Sequence, residues 1–126
     1  MKIHHLGYVV HDIDEYSKNL VDSHIIKRVN DEIQQAELAL IKTENILIEL
    51  IKPNKATSFT YNFLQKGGGF HHLCFEVSSK DKAEKIIQEK RMIKVLDWVY
   101  APLLESEVIF AYNKNKEVVE FVCQPQ

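Results

Sequence analysis

Cysteine is nearly absent from this chain: Cys74 and Cys123 are the only two among 126 residues. Each lies in a stretch that alternates like a strand, and two thiols are too few for a disulfide framework, so both read as buried thiols in a reducing compartment. Long apolar runs are missing as well. None approaches the roughly 20 residues that a membrane span requires. The opening MKIHHLGYVVHDID passes directly into strand-like alternation, without the apolar core of a signal peptide. These absences predict a cytoplasmic protein with no membrane partner. Charge of one sign is also scarce, and a net charge of -2 argues against the basic stripe of a nucleic-acid binder. Glycine is rare outside Gly67-Gly68-Gly69. A phosphate loop needs a strand before its glycines and a helix after them. Here a strand follows, so the run predicts a flexible hinge. What remains is an ordinary globular composition, 45% hydrophobic and 27% charged, of a size for one compact domain or two small fused units.

Two His-His pairs expose a repeat. Ile3-His4-His5-Leu6-Gly7-Tyr8-Val9-Val10 aligns with Phe70-His71-His72-Leu73-Cys74-Phe75-Glu76-Val77, and His72 follows His5 by 67 residues. After each, a short amphipathic helix is expected. The first spans Asp12 to Leu20, capped by Asp12, with Ile13, Tyr16 and Leu20 on one stripe. The second spans Ser79 to Glu89, capped by Ser79, with Ala83, Ile86 and Ile87 buried. Two strands then fit at about 24–30 and 35–42, and again at about 92–99 and 106–112. Each copy closes with a strand carrying one acid among apolar residues, Asn45-Ile46-Leu47-Ile48-Glu49-Leu50-Ile51 and Glu117-Val118-Val119-Glu120-Phe121-Val122, with Glu49 and Glu120 as those acids. The predicted fold is α+β: two tandem βαβββ modules, about 1–52 and 70–126, joined by a segment of about 53–69 that holds an apolar helical turn (Phe59, Phe63, Leu64).

Strand parity separates the histidines. His4 shares a face with Leu6, Tyr8 and Val10, and His71 with Leu73, Phe75 and Val77, so both are expected to pack against the helices. His5 stands with Gly7 and Val9, and His72 with Cys74 and Glu76, which suits a cavity wall. Glu49 and Glu120 are lone acids on apolar strands, where an unpaired carboxylate is costly to bury. A divalent ion held by His5, Glu49, His72 and Glu120 satisfies all four and leaves open positions for a substrate. Mixed nitrogen and oxygen ligation favours Co, Ni, Zn, Mn or Fe over Ca or Mg. His11 and His24 have no repeat partner and read as surface residues. Trp98 and Tyr100 are candidates for either the cleft wall or packing.

The segments KIHHLGYVVHDID, ILIELIKP, NFLQKGGGFHHLCFEV and VVEFV resemble the vicinal oxygen chelate superfamily, which includes glyoxalase I, methylmalonyl-CoA epimerase, extradiol dioxygenases and the fosfomycin- and bleomycin-resistance proteins. The resemblance implies a curved mixed sheet around a metal cleft and assigns the ligands to His5, Glu49, His72 and Glu120. FLQKGGGFHHLCFEV is most similar to methylmalonyl-CoA epimerase. The stretch Tyr100 to Ser106 departs from that family's glycine-rich turn, and Asn113 to Glu117 departs from the corresponding turn of glyoxalase I. By this resemblance the chain is a Co-, Ni-, Zn- or Mn-dependent isomerase or lyase that abstracts a proton next to a carbonyl through a stabilised enolate. Its substrate would be an acyl-CoA or a glutathione thioester-type compound, and its assembly a homodimer.

The resemblance also places a catalytic carboxylate at Glu37, with Glu120 as the second base. The repeat-equivalent of Glu37 is Val108, so this acid is not a feature of the module itself. Lys52, Lys55 and Lys66 are candidates for an anionic tail. A dioxygenase would use a three-ligand iron site, for which Glu49 is surplus. A drug- or metabolite-binding protein of the bleomycin-resistance type would need none of the four.

Overall fold

The computed structural model describes residues 1–21 and 24–124. Its elements in chain order are β1 (Ile3–Val9), α1 (Ile13–Asn19), β2 (Ile25–Asp31), β3 (Ala36–Lys42), β4 (Leu47–Pro53), α2 (Tyr61–Gln65), β5 (Gly69–Val77), α3 (Lys80–Glu89), β6 (Ile93–Ala101), β7 (Ser106–Tyr112) and β8 (Val118–Cys123). The βαβββ unit thus occurs twice. The joining segment is slightly shorter than expected, because Pro53 ends β4 and Gly69 opens β5.

All eight strands form one sheet in the order β2-β3-β4-β1-β5-β8-β7-β6. At its centre β1 and β5 run antiparallel, while β1–β4 and β5–β8 are parallel pairs. Exchanging the two copies leaves this order unchanged, so the seam between β1 and β5 is an approximate two-fold axis. The sheet curls into a half-barrel.

Alternation along the strands gives the sheet two faces. On the outer face α1 covers Tyr8, Ala39, Ile41 and Leu50, while α3 packs against Phe75, Ile109 and Phe121. Both helices start where the sequence marks a cap. Asp12 accepts a hydrogen bond from the Glu15 amide (2.8 Å), and Ser79 accepts one from that of Lys82 (3.2 Å). On the inner face Val9, Leu38, Leu40 and Ile51 pack against Leu64 of α2 and Leu103 of the β6–β7 turn. The Lys27 ammonium fastens that turn to β2, donating to the Pro102 carbonyl (3.0 Å) and pairing with Glu105 (3.2 Å). The joining segment and this turn therefore fill part of the hollow that the curled sheet encloses.

The glycine run is a fixed turn and not the expected flexible hinge. Gly67, Gly68 and Gly69 all have positive φ. The amides of Gly67 and Gly68 close α2 by donating to the Leu64 and Phe63 carbonyls (2.9 and 3.0 Å). A Cβ on Gly68 would stand 2.6 Å from the Val9 carbonyl oxygen.

Candidate metal centre

Four strands converge on one point of the inner face. β1 supplies His5, β5 supplies His72, and the strands parallel to them, β4 and β8, supply Glu49 and Glu120. The register accounts for the convergence: Gly7 lies beside both Glu49 and His72, and Cys74 lies beside both His5 and Glu120. The four side chains expose between 0 and 3% of their surface.

Their donor atoms form a tight cluster. His5 Nε2 is 3.3 Å from His72 Nε2, 3.5 Å from Glu49 Oε1 and 3.1 Å from Glu120 Oε1. His72 Nε2 is 3.6 Å from Glu49 Oε1 and 3.0 Å from Glu120 Oε1. Ligands about 2.1 Å from a shared ion stand roughly 3.0 to 3.4 Å apart in octahedral or tetrahedral geometry. The observed separations fall in or next to that range. Glu49 Oε1 and Glu120 Oε1 are both buried and receive no hydrogen bond. An unpartnered buried carboxylate oxygen is costly, so the donor set fits a divalent cation.

The electrostatics follow from this crowding. Burial alone would lower the basicity of His5, but the Glu49 carboxylate, with Glu120 beside it, holds its pKa well above the usual imidazole value. Burial likewise favours the neutral form of Glu120, yet the His5 and His72 imidazoles lying 3.1 and 3.0 Å from its Oε1 keep it well below the usual carboxylate range. Desolvation, followed by the charge of Glu120, pushes the Cys74 thiol upward, so it stays a neutral wall of the site.

The outer histidines do not pack as strand parity predicts. The β1–β5 register slips twice, once at His4 in β1 and once at His71 in β5. A bulge of this kind places two successive residues against one partner and re-aims the side chain. As a result His4 Nδ1 lies 2.8 Å from His5 Nδ1, and His71 Nδ1 lies 2.8 Å from His72 Nδ1. His71 sits between Phe59 and Phe63. Desolvation and the neighbouring His72 lower its pKa to about 3, so it is neutral at ordinary pH. The repeated His-His pair was the sequence signal for this arrangement; the bulges were not visible.

Glu37 is not part of the cluster. It pairs with Lys52 of β4 and shares the outer face with Ala39 and Ile41. There its carboxylate accepts from Arg28 (2.9 Å), which also binds Asp14 of α1 (2.6 Å). The inner face of β3 carries Ala36, Leu38 and Leu40 at the level of the cluster. Trp98 also faces outward, donating to Glu84 of α3 (2.7 Å), and Tyr100 is 54% exposed. His11, His24, Lys55 and Lys66 are exposed and Lys52 is half-buried.

Several surface hollows flank the sheet. An apolar one of about 400 Å³ lies beside α3, lined by Phe75, Ile86, Val119 and Phe121. It belongs to the outer face and does not reach the four donors. A polar one of about 490 Å³, lined by Thr43, Asn45, Leu47 and Glu76, touches the cluster's edge at His4.

Residues 4–112 match the Glyoxalase/Bleomycin resistance protein/Dioxygenase superfamily. The human protein named mitochondrial methylmalonyl-CoA epimerase is 24% identical over 119 residues, which cover 90% of this chain and 68% of the relative. Its Dictyostelium discoideum counterpart is 28% identical over 101 residues, covering 76% of this chain and 60% of the relative. The chain therefore spans about two thirds of the length of these relatives. Among solved structures, a Streptomyces coelicolor methylmalonyl-CoA epimerase variant in complex with 2-nitronate-propionyl-CoA superposes with a TM-score of 0.83 at 22% identity, covering 100% of this chain and 99% of the other.

Proposed function

The chain belongs to the glyoxalase/bleomycin resistance protein/dioxygenase superfamily, and on that premise we propose that it is a divalent-metal-dependent isomerase that moves a proton on the carbon next to the carbonyl of an acyl-CoA thioester. The observation that carries this reading is the buried cluster of two imidazoles and two carboxylates, with neither carboxylate Oε1 accepting a hydrogen bond. Its kinship with proteins named methylmalonyl-CoA epimerase supports the acyl-CoA substrate. A protein that only sequesters a small molecule has no need of such a cluster.

A divalent ion held by His5, Glu49, His72 and Glu120 would act as a Lewis acid toward a substrate carbonyl. The chain's own residues do the rest. Val118, Phe110, Cys74 and Leu40 surround the cluster with apolar or neutral surface, which excludes water and strengthens electrostatic effects within it. Glu120 Oε1 is assigned to take the proton from one face of the α-carbon, and inversion requires that the planar enolate regain a proton from a second donor on its other face. The two imidazoles hold this carboxylate's pKa down against the effect of burial. Movement away from them makes it a stronger base.

A second reading has its own support. Glu37 faces outward and is engaged by Arg28, which leaves Glu120 as the single base foreseen for the cleft. One base serves a transfer between neighbouring carbons, as in a glyoxalase I-type lyase acting on a glutathione adduct. Two assays on the zinc- or cobalt-loaded protein separate the readings: proton–deuterium exchange at the α-carbon of methylmalonyl-CoA, and turnover of the methylglyoxal–glutathione adduct. Exchange that Glu120→Gln abolishes supports the isomerase. Turnover of the adduct without exchange supports the lyase, and protein that takes up no metal defeats both.

A further inference from the structure

The four donors leave His4 and His71 to be explained. An imidazole presents a bare Nε2 to an ion when its proton resides on Nδ1, and an acceptor placed at Nδ1 fixes that tautomer. His4 Nδ1 and His71 Nδ1 each occupy that place, both at 2.8 Å. The ring planes cross at 83° and 88°.

One device builds both contacts. In β1 the extra residue of the bulge is His4, and in β5 it is His71. The same local distortion therefore occurs at two places related by the approximate two-fold axis, each next to a ligand. His71 has little else to hold it, since Phe59 and Phe63 supply its ring neighbours. Among the described residues its only hydrogen bond is to His72. A buried polar ring with one partner is placed for that partner.

We propose that His4 and His71 are the positioning residues of the metal centre: each accepts a hydrogen bond from Nδ1–H of the adjacent ligand and so holds that ligand's Nε2 bare and aimed at the ion. This rests on the reading of His5 and His72 as metal ligands. The outer rings touch neither metal nor substrate, and their effect runs wholly through the inner ones.

The test uses the full chain and zinc(II) alone, without substrate. Zinc affinity is measured by competition with a chromophoric chelator for wild type, His4→Leu, His71→Leu, His4→Asn and His71→Asn. Leucine fills space without an acceptor, whereas the asparagine amide oxygen restores one. Each leucine variant is expected to bind zinc roughly 10- to 100-fold more weakly, and each asparagine variant to recover most of that loss. In the zinc-loaded wild type, NMR should show two imidazole Nδ1–H protons shielded from exchange with water. His4→Leu should remove the signal of His5, and His71→Leu that of His72. Leucine variants with wild-type affinity, or asparagine variants as weak as the leucine ones, overturn the proposal. If His71→Leu does not fold, the half-buried His4 decides the matter alone by the same criteria. Wild-type protein that takes up no zinc overturns the metal centre itself, while normal uptake with unaffected leucine variants overturns only the role given to His4 and His71.

Discussion

The imidazole of His72 occupies the space that any side chain at position 7 would need. Gly7 faces His72 directly across the β1–β5 seam, and a Cβ built on it would stand 2.6 Å from both ring nitrogens. Gly7 is not among the residues with positive φ, so the ring, not the backbone torsion, demands glycine here. Gly7→Ala should displace the ring and lower zinc affinity at least as far as loss of an outer-shell contact, roughly 10- to 100-fold. The overpacking should cost about 1–3 kcal/mol of stability. Metal titration and thermal melting check both, and unchanged zinc binding would contradict this placement of His72.

Glu37→Gln should leave α-proton exchange intact, because the carboxylate lies on the opposite face of the sheet from the four donors. Its contact with Arg28 is a partly exposed ion pair, so the stability cost should be below about 1 kcal/mol. Exchange assays and denaturant melts on Glu37→Gln and Glu120→Gln, run together, make the comparison. Loss of exchange in the Glu37 variant alone would reverse the assignment.

The pH dependence of the metal-free protein has two limbs. Glu120 is held below its unfolded value, so its contribution is present above about pH 4.3 and is lost as pH falls. His71 is neutral when folded and lowered to about 3, so its unfolded form gains a proton first and stability falls as pH drops below about 6.5. His5 is raised, so its contribution is complete below about pH 6.5 and is lost at higher pH, as its folded form gives up the proton. Thermal stability should therefore peak between these limbs. Zinc replaces the proton on His5, which should remove the alkaline fall and release protons on binding. Melts across pH with and without zinc test the sign of each limb.

Leu103→Ala should destabilise the fold by about 2–5 kcal/mol. Leu103 belongs to the second copy, yet it is buried against Val9, Leu38, Leu40 and Ile51 of the first. Chemical denaturation should show one cooperative transition at lower denaturant. A separate early transition of one module would mean that the copies are not coupled through this turn.

Repetition made most of this architecture legible. A histidine and an acid recurring at matched places in two apolar frames pointed to both the module and the four donors. Asp12 and Ser79 marked the helix starts, because capping is local chemistry. Structure and sequence pattern part where one backbone residue changes everything downstream. Bulges at His4 and His71 reverse the parity rule, and nothing in His-His itself announces a bulge. The resemblance implies a catalytic Glu37, whereas its alternation with Leu38 and Leu40 places it on the outer face. Glycine's freedom suits a hinge or a turn equally, and here the positive torsions of Gly67, Gly68 and Gly69 serve a turn.

Each half of the sheet contributes one imidazole and one carboxylate, so neither half alone can complete the coordination. An ion bound there spans the β1–β5 seam like a rivet through two plates. Its binding energy then resists separation of the halves, and losing the ion should loosen the seam before it loosens either module.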